Sequence, residues 1–354
     1  MMPAILKNIP SLKGATTVAI LVALCLVFAL LDPNFVGINN VQNVLRQVAV
    51  TAIVAAAVTL VMVSGGLDLS VGGVVALSGV SAALLVASGM PVWLGFLAGV
   101  VVGLLVGLVN GLLVVGLGIN SVIATLGTMT MTRGIAQLLT NGSPVHQVPS
   151  EFRWLGTGFL GPIPIPVVIM VIVVVAFIII QKRTLLGKYT FAIGSNVDAA
   201  RLSGIRVNKV RIQVFVLAGG MAGLGGVILA SRLNSGQPNA GLGFEFAVIV
   251  AAVLGGTSLA GGEGRVSGTL VGALIVAVLG NGLNLLGVQT FWQNVVEGAV
   301  LILAVALDIL LRKIGRRRAP ATAGSAVSLE TTTSSGSADD ADASPERTEE
   351  PRIG

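Results

Sequence analysis

Apolar runs alternate with short polar segments along the chain, and most of the runs are long enough to cross a bilayer as helices. We therefore predict an all-α, polytopic membrane protein with about ten transmembrane helices. The predicted spans are residues 15–31, 48–63, 71–88, the run that contains 95–111, then 120–140, 167–180, 212–231, 246–254, 266–287 and 295–311.

Two glycine-rich segments interrupt these runs, and we expect broken or re-entrant helices there. Residues 64–70 read SGGLDLS and residues 255–265 read GGTSLAGGEGR, each with Gly-Gly followed by leucine at the same spacing. Downstream of each lies an Asn-Gly-Leu motif, which begins at Asn110 and at Asn281. Two motifs in the same order predict two pseudo-repeated halves, as in many transporters. The span count makes this repeat parallel, whereas one re-entrant break would make it inverted.

The fourth run carries a glycine at every fourth residue. This spacing places a stripe without side chains along one helix face, which lets helix backbones approach closely in lipid. We interpret the stripe as a helix-packing surface, and a pivot helix is the alternative. The ladder consists of Gly95, Gly99, Gly103, Gly107 and Gly111.

Composition supports the membrane assignment. Hydrophobic residues make up 54% of the chain, the mean hydropathy is +0.96 and only 10% of residues are charged, against roughly 25% in a soluble domain. The net charge of +6 could indicate nucleic-acid binding. The basic residues cluster beside apolar runs, however, so we interpret them as determinants of topology and expect no nucleic-acid partner.

The central segment, residues 181–211, holds seven of the 21 basic residues. The positive-inside bias places this segment in the cytoplasm, together with the N-terminal residues 1–14 and the C-terminus. The membrane domain is then residues 15–311, and residues 232–245 turn on the outer side. Residues 312–354 are rich in Ala, Ser, Thr, Asp and Glu, a composition that predicts a disordered cytoplasmic tail.

Catalytic and metal chemistry have no candidates in the sequence. The single cysteine, Cys25, can form no intrachain disulfide, and the lone histidine, His146, has no ligand-spaced neighbours. The only Gly-Lys pair, at Lys188, is followed by tyrosine and so does not form a phosphate-binding loop. We predict neither an enzyme nor a cofactor. Ionisable residues within the runs are too few for a proton relay: Asp68, Arg133, Glu297 and Asp308.

Polar side chains inside the runs are candidates for lining a translocation pathway. Neutral amides suit solutes that carry hydroxyl groups, because they donate and accept without a fixed charge. Hydrogen bonding between helices is the alternative for each of them. The candidates are Asp68, Asn110, Asn281 and Asn284.

A short surface helix is predicted within the central segment. Ser195 followed by Asp198 forms a pattern like a capping box, and Gly204 can supply a left-handed stop. The helix is about 12 Å long at 1.5 Å per residue.

One side of this helix is expected to be flat enough for another protein to approach, because small residues occupy Ala199, Ala200 and Ser203. Arg201 can pair with acids on that protein. A solvated connector without a partner is the alternative.

Three motifs resemble the ribose-type sugar ABC-importer permeases, the branch that also handles xylose, galactose and autoinducer-2. They are TLLGK with AIGSNVDAARLSGI (residues 184–188 and 192–205), GGLDLSVG (65–72) and GGTSLAGG (255–262). The resemblance covers residues 16–311. Lys188 stands where arginine is more common in that family, and the tail is not a family feature.

The resemblance implies a bacterial inner-membrane permease without ATPase activity of its own. It implies these partners: a second permease subunit, identical or different, a cytoplasmic ABC ATPase, an extracytoplasmic sugar-binding protein and a monosaccharide substrate. The short helix would then couple the permease to the ATPase, and transport would proceed by alternating access. The coupling residues are Gly194, Ser195, Asn196, Asp198, Ala199, Ala200, Arg201, Ser203, Gly204 and Ile205. The alternatives are a stand-alone channel or facilitator and an importer of a sugar-like signal.

Overall fold

The computed structural model describes residues 9–289 and, in short stretches, 291–293, 295–296, 298–300, 302–303 and 305–306. This part of the chain is helical apart from its connections and one small hairpin. The helices are α1 (Ile9–Leu31), α2 (Ile38–Val63), α3 (Val71–Ala87), α4 (Val92–Gly116), α5 (Ser121–Thr140), α6 (Trp154–Thr157), α7 (Ile165–Arg183), α8 (Leu185–Ser195), α9 (Val197–Leu202), α10 (Val207–Leu233), α11 (Phe244–Leu254) and α12 (Val266–Leu285). The hairpin pairs β1 (Phe159–Leu160) with β2 (Ile163–Pro164), and 3-10 turns lie at Pro33–Val36 and Ser150–Arg153.

Each of the first nine predicted spans coincides with a helix. Five helices are both long and apolar enough to cross a bilayer, namely α2, α4, α7, α10 and α12. The apolar part of α1 (Ala15–Leu31), α3 and α11 are shorter apolar helices. The all-α class is confirmed and the count of about ten spans stays a prediction. Eight of the 17 residues of the tenth span, including Glu297 and Asp308, lie outside the described residues, as do the first eight residues of the chain and the tail 312–354.

Several helices begin earlier than the apolar runs indicated, and the difference is largest for α1 and α2. α1 starts at Ile9 and α2 at Ile38, ten residues before the predicted boundary at 48. Residues 38–47 are amphipathic. Val44 and Leu45 pack against the protein while Asn43 and Gln47 stay exposed, so the helix continues through this segment. From Val48 to Val63, α2 is buried at every position, which makes it the central helix of the fold.

The glycine ladder of α4 is buried against α3 and α10. A Cβ on Gly103 would lie 2.8 Å from the Cα of Gly223 in α10, and the carbonyl of Gly219 is closer still. Gly107 lies on the carbonyl of Phe215 in the same way, and a Cβ at Gly99 would lie 2.9 Å from the carbonyl of Ser78 in α3. The helices therefore touch backbone to backbone, as small-residue faces allow in lipid.

The half-length helices α3 and α11 both begin inside the protein. Gly72, in the first turn of α3, lies against the carbonyl of Gly241 and the carboxylate of Glu245 at the start of α11. Gly73 lies against Met129 and Thr132, near the middle of α5. The N-termini of these two helices, which we call the half-helices, therefore meet inside the protein, near the middle of α5.

The two half-helices run in opposite directions from this meeting point. Along α3, Gly79 packs on Gly226, well towards the C-terminal end of α10, whereas α11 ends where Gly255 packs on Gly268 in the first turn of α12. The predicted repeat aligns α11 with α2, not with α3, because α2 and α11 are the helices that end in the Gly-Gly breaks, so this relationship decides neither a parallel nor an inverted repeat. The duplication of whole halves stays a prediction.

The expected outer turn at residues 232–245 is wrong at its end. α11 begins at Phe244, and Glu245 is only 4% exposed, whereas Leu242 is 64% exposed. The sequence signal was misleading because the polar Gly-rich stretch resembles a surface turn, but its polar groups meet the N-terminus of α3 instead.

Candidate functional site

The central segment 181–211 forms a helical elbow, which we define as residues 184–206. Thr184 caps α8, accepting a hydrogen bond from the Gly187 N–H at 3.3 Å. Asn196 caps α9, with its Oδ1 accepting from the N–H groups of Asp198 (3.0 Å) and Ala199 (2.9 Å). Gly204 ends α9 with φ +80°, the left-handed conformation expected of it. The elbow therefore consists of two short helices, α8 and α9, with tight corners at both ends and between them.

Ser195 does not cap the short helix, which corrects the predicted capping box. It is the last residue of α8, and Asn196 takes the capping position. Serine and asparagine are similarly good N-caps, so the sequence pattern alone could not separate two adjacent candidates.

The outer face of α9 differs from the predicted one at Ala200. Ala200 is 4% exposed and packs in a small cluster with Ile193, Val207 and Val210, so it faces the protein and offers no surface to a partner. Ala199 and Ser203 are exposed, as expected of a docking face. Leu202 is 91% exposed and was missed by the sequence analysis.

Charged residues frame this outer face of α9. Arg201 lies 3.5 Å from Asp198 in an ion pair whose side chains are 58% and 83% exposed. Such an exposed pair contributes little to stability. Both groups can therefore exchange this contact for one with another molecule.

The base of the elbow meets both glycine-rich breaks. Gly194 lies against the carbonyl of Val63 and the N–H of Gly262, with no room for a side chain. The Gly262 N–H donates to the Val63 carbonyl at 2.9 Å, and a Cβ on Gly261 would lie 2.9 Å from the Cα of Gly65. Backbone from α8, from residues 63–65 and from residues 261–262 thus forms one contact, which we call the glycine joint.

A buried polar network holds the first break. Asp68 is fully buried and its Oδ1 accepts from the Ser70 N–H (2.9 Å) and hydroxyl (2.6 Å). The amide of Asn110 in α4 donates to the Ser70 hydroxyl at 2.8 Å, and the Thr128 hydroxyl of α5 donates to Asn110 at 2.6 Å. The network therefore fixes residues 68–70 to two helices.

The other two amide candidates lie elsewhere. Asn281 exchanges two hydrogen bonds of 2.9 Å with Asn40, which joins α12 to α2. Asn284 is exposed. The structure therefore brings Asp68 and Asn110 together but places Asn281 and Asn284 apart from them.

The free face of α5 is the feature that the sequence analysis missed. A Cβ atom added at Gly127 or Gly134 would have no other atom within 4 Å. Thr130 and Gln137 are exposed beside these glycines. These four residues share one face through spacings of three and four. Large apolar side chains are exposed beside them on α5, such as Met131 and Leu138, as they are on the free face of α4.

Metal-ion chemistry gains no support from the described residues, in which no group of three or more His, Cys, Asp or Glu side chains converges.

Residues 40–305 match the family described as "Branched-chain amino acid transport system / permease component". The chain belongs to this permease family. Its match spans both glycine-rich breaks, the elbow and α5, so every part of the site described above lies within the family region.

The permease is similar to several curated proteins over most of its length. It is 46% identical to the ribose import permease protein RbsC of Escherichia coli strain K12 over 84% of this chain and 94% of that protein. It is 43% identical to RbsC of Bacillus subtilis strain 168 over 80% and 89%, and 38% identical to the L-arabinose transport system permease protein AraH of E. coli K12 over 84% and 90%. These relatives confirm the resemblance stated from the motifs.

Proposed function

We propose that this permease is the membrane-spanning subunit of an ABC importer that moves a monosaccharide, a ribose-like pentose or a related sugar, into the cytoplasm. Alternating access would be driven by a separate ATPase. The observation that carries the proposal is the glycine joint, because it connects an exposed helical elbow to both breaks in the membrane domain.

The elbow is suited to receive the ATPase. Leu202 offers an apolar side chain that is 91% exposed, and its burial in a pocket of another protein would be favourable. Asp198, Arg201 and Ser203 are its polar neighbours. The elbow and both termini would be cytoplasmic in a bacterial inner membrane, as the basic residues predict.

Movement of the elbow would reach the breaks through backbone contacts alone. Gly194 touches the end of α2 on one side and the second break on the other, and close-packed backbone is displaced as a unit. The nucleotide state of the ATPase must favour one permease conformation by about 5.5 kcal/mol to convert a population of 1:99 into 99:1.

A pathway along the free face of α5 fits two copies of the permease better than one. The open glycines Gly127 and Gly134, with Thr130 between them, form a recess beside the exposed apolar side chains of Ile123, Met131 and Leu138, and such small-residue faces let another helix approach closely. A second permease subunit, identical or different, would cover this face and complete the pathway. Asp68 and Asn110 would act behind it by fixing the break.

The sugar assignment rests on the relatives and on the hydroxyl and amide groups that α5 exposes; Arg133, the one charged residue of α5, is half-buried and donates to the Gly241 carbonyl at 3.5 Å. The similar proteins are named for ribose and L-arabinose, whereas the family description names branched-chain amino acids. An amino acid carries two charges that a pathway must solvate or pair, and the face of α5 offers hydroxyl and amide groups among its exposed residues. An extracytoplasmic sugar-binding protein would deliver the solute.

Reconstitution in nanodiscs tests the proposal. The permease is combined with its candidate ATPase and binding protein, and ATP hydrolysis is measured with ribose, L-arabinose and leucine as added solutes. We expect a stimulation of ATP hydrolysis by a pentose and the loss of ATPase retention in Leu202→Asp, while Lys209→Gln, an exposed cation on α10, serves as control. Uptake of solute without any ATPase would replace this proposal with a stand-alone facilitator, and stimulation by leucine alone would replace the sugar.

A further inference from the structure

A cavity with a volume of about 330 Å³ lies beside the elbow. It is bounded by the first break at Gly65, by the connection between α4 and α5 at Asn120, and by α9 and the start of α10. Phe215 forms part of its apolar wall. Arg201 is one of its lining residues and also borders the exposed face of α9 on which Leu202 lies.

Two guanidinium groups line this cavity without an acid between them. They belong to Arg201 and Arg211, and the described lining residues include no Asp or Glu. The groups are close enough to repel each other. Arg201 has its exposed ion pair with Asp198, but the Nε of Arg211 is buried and has no hydrogen-bond partner within the described chain. A buried donor without a partner is costly, and more so when it is charged.

An anion in the cavity would satisfy both arginines. Planar guanidinium groups bind phosphate and carboxylate oxygens through paired, charge-assisted hydrogen bonds. The volume leaves room for a phosphate group and for the molecule that carries it, because one water molecule needs only about 10–15 Å³ of such space. Asn208, Asn120 and Ser121 add uncharged polar groups around the arginines.

The geometry points to a binding site for a phosphate group, carried by a small phosphorylated solute or by the head group of an anionic lipid, held between Arg201 and Arg211. The site is independent of the solute that the permease transports, and its occupancy can be measured without ATPase or transport.

Binding to the full-length permease in detergent tests the soluble source. Inorganic phosphate, ribose 5-phosphate and ribose are titrated while the unfolding temperature is recorded. We expect both phosphates to raise this temperature in a saturable manner and ribose to leave it unchanged. Arg211→Gln weakens phosphate binding by about tenfold or more, Arg211→Lys weakens it less, and Lys209→Gln stays within about twofold of wild type.

The lipid source is tested in nanodiscs of phosphatidylcholine with and without phosphatidylglycerol. If phosphatidylglycerol competes with phosphate for the wild-type protein but not for Arg211→Gln, the ligand is the lipid head group. In phosphate-free detergent, Arg211→Gln is expected to unfold at or above the wild-type temperature, because the repulsion between the arginines is removed; this separates loss of binding from misfolding.

Two results overturn the proposal. One is the absence of Arg211-dependent binding with soluble phosphate and with lipid alike. The other is loss of ATPase retention in Arg211→Gln without any phosphate effect, which would assign the cavity to an acidic side chain of the ATPase.

Discussion

The α-carbon of Gly194 in α8 lies against the main-chain carbonyl of Val63 at the end of α2, with no space between them for a side chain. Because this contact is the base of the elbow, any enlargement at residue 194 must push α8 away from α2 or from the second break.

Gly194→Ala is therefore expected to destabilise the protein by on the order of 1–3 kcal/mol, as overpacking does in close-packed interiors, and to reduce ATP-driven transport further than this loss explains. Unfolding in detergent and transport in nanodiscs measure the two effects. The matched control is Gly116→Ala at the end of α4, where a Cβ has open space; we expect a change of less than about 1 kcal/mol there. Equal behaviour of the two variants would rule out the glycine joint as a rigid connection.

The contact between α4 and α10 predicts a non-additive pair. Gly103→Ala and Gly219→Ala each place a methyl group into the same backbone contact, so each is expected to lower the free energy of unfolding by about 1–3 kcal/mol. Once the helices have separated for the first methyl group, the second meets less resistance. The double variant should lose less than the sum of the two single losses, by about 0.5 kcal/mol or more; full additivity would contradict a shared contact.

Asn110→Ala distinguishes a structural amide from a solute ligand. It removes the hydrogen bonds with Ser70 and Thr128, which should cost about 1–3 kcal/mol in the free energy of unfolding because buried partners are left unsatisfied. We expect the solute concentration for half-maximal transport to change little. Asn284→Ala, at an exposed position, is the control for stability. A selective change in solute preference without destabilisation would return Asn110 to the pathway.

Ala199→Glu and Ala200→Glu separate docking from folding. The side chain of Ala199 is exposed, whereas Ala200 is buried in the cluster of α9. Ala199→Glu should abolish retention of the ATPase during purification and leave the unfolding temperature of the permease unchanged. Ala200→Glu should lower that temperature as well, because a charge cannot be buried there without a partner. The reverse ranking of unfolding temperatures would be incompatible with the observed orientation of α9.

The free face of α5 predicts proximity between two copies. In a Cys25→Ser background, which removes the native cysteine, Thr130→Cys should give a disulfide-linked dimer on oxidation, visible by gel electrophoresis without reductant. Leu105→Cys, on the lipid-exposed face of α4, is the control and should remain monomeric. Crosslinking at position 105 rather than 130 would move the interface to α4.

The positions of the helices could be predicted because a run of apolar residues is a local property of the chain. The same holds for the α4 ladder, since the spacing of Gly95 to Gly111 defines a face without knowledge of its partner. The partner glycines, Gly219 and Gly223, were not identified, because α10 is rich in small residues on more than one face and only tertiary packing selects which of them meets α4.

Other features depended on contacts that the sequence does not encode locally. The orientation of Ala200 is set by where Val207 and Val210 lie after the corner at Gly204. Glu245 is buried because the two half-helices meet, and its neighbour there, Gly72, lies 173 positions away in the sequence. The amides Asn110 and Asn281 look alike in sequence, and only their neighbours show that they join different helix pairs.

The glycine joint also determines how small a motion can matter. A contact made by side chains has slack, because rotamers can change and absorb a displacement of about an ångström before the backbone responds. Gly194, Gly261 and Gly262 have no rotamers, so a shift of the elbow is passed to residues 63–65 over its full distance. The joint contains no side chain that could absorb a displacement, so even a sub-ångström shift of the elbow would reach the membrane domain.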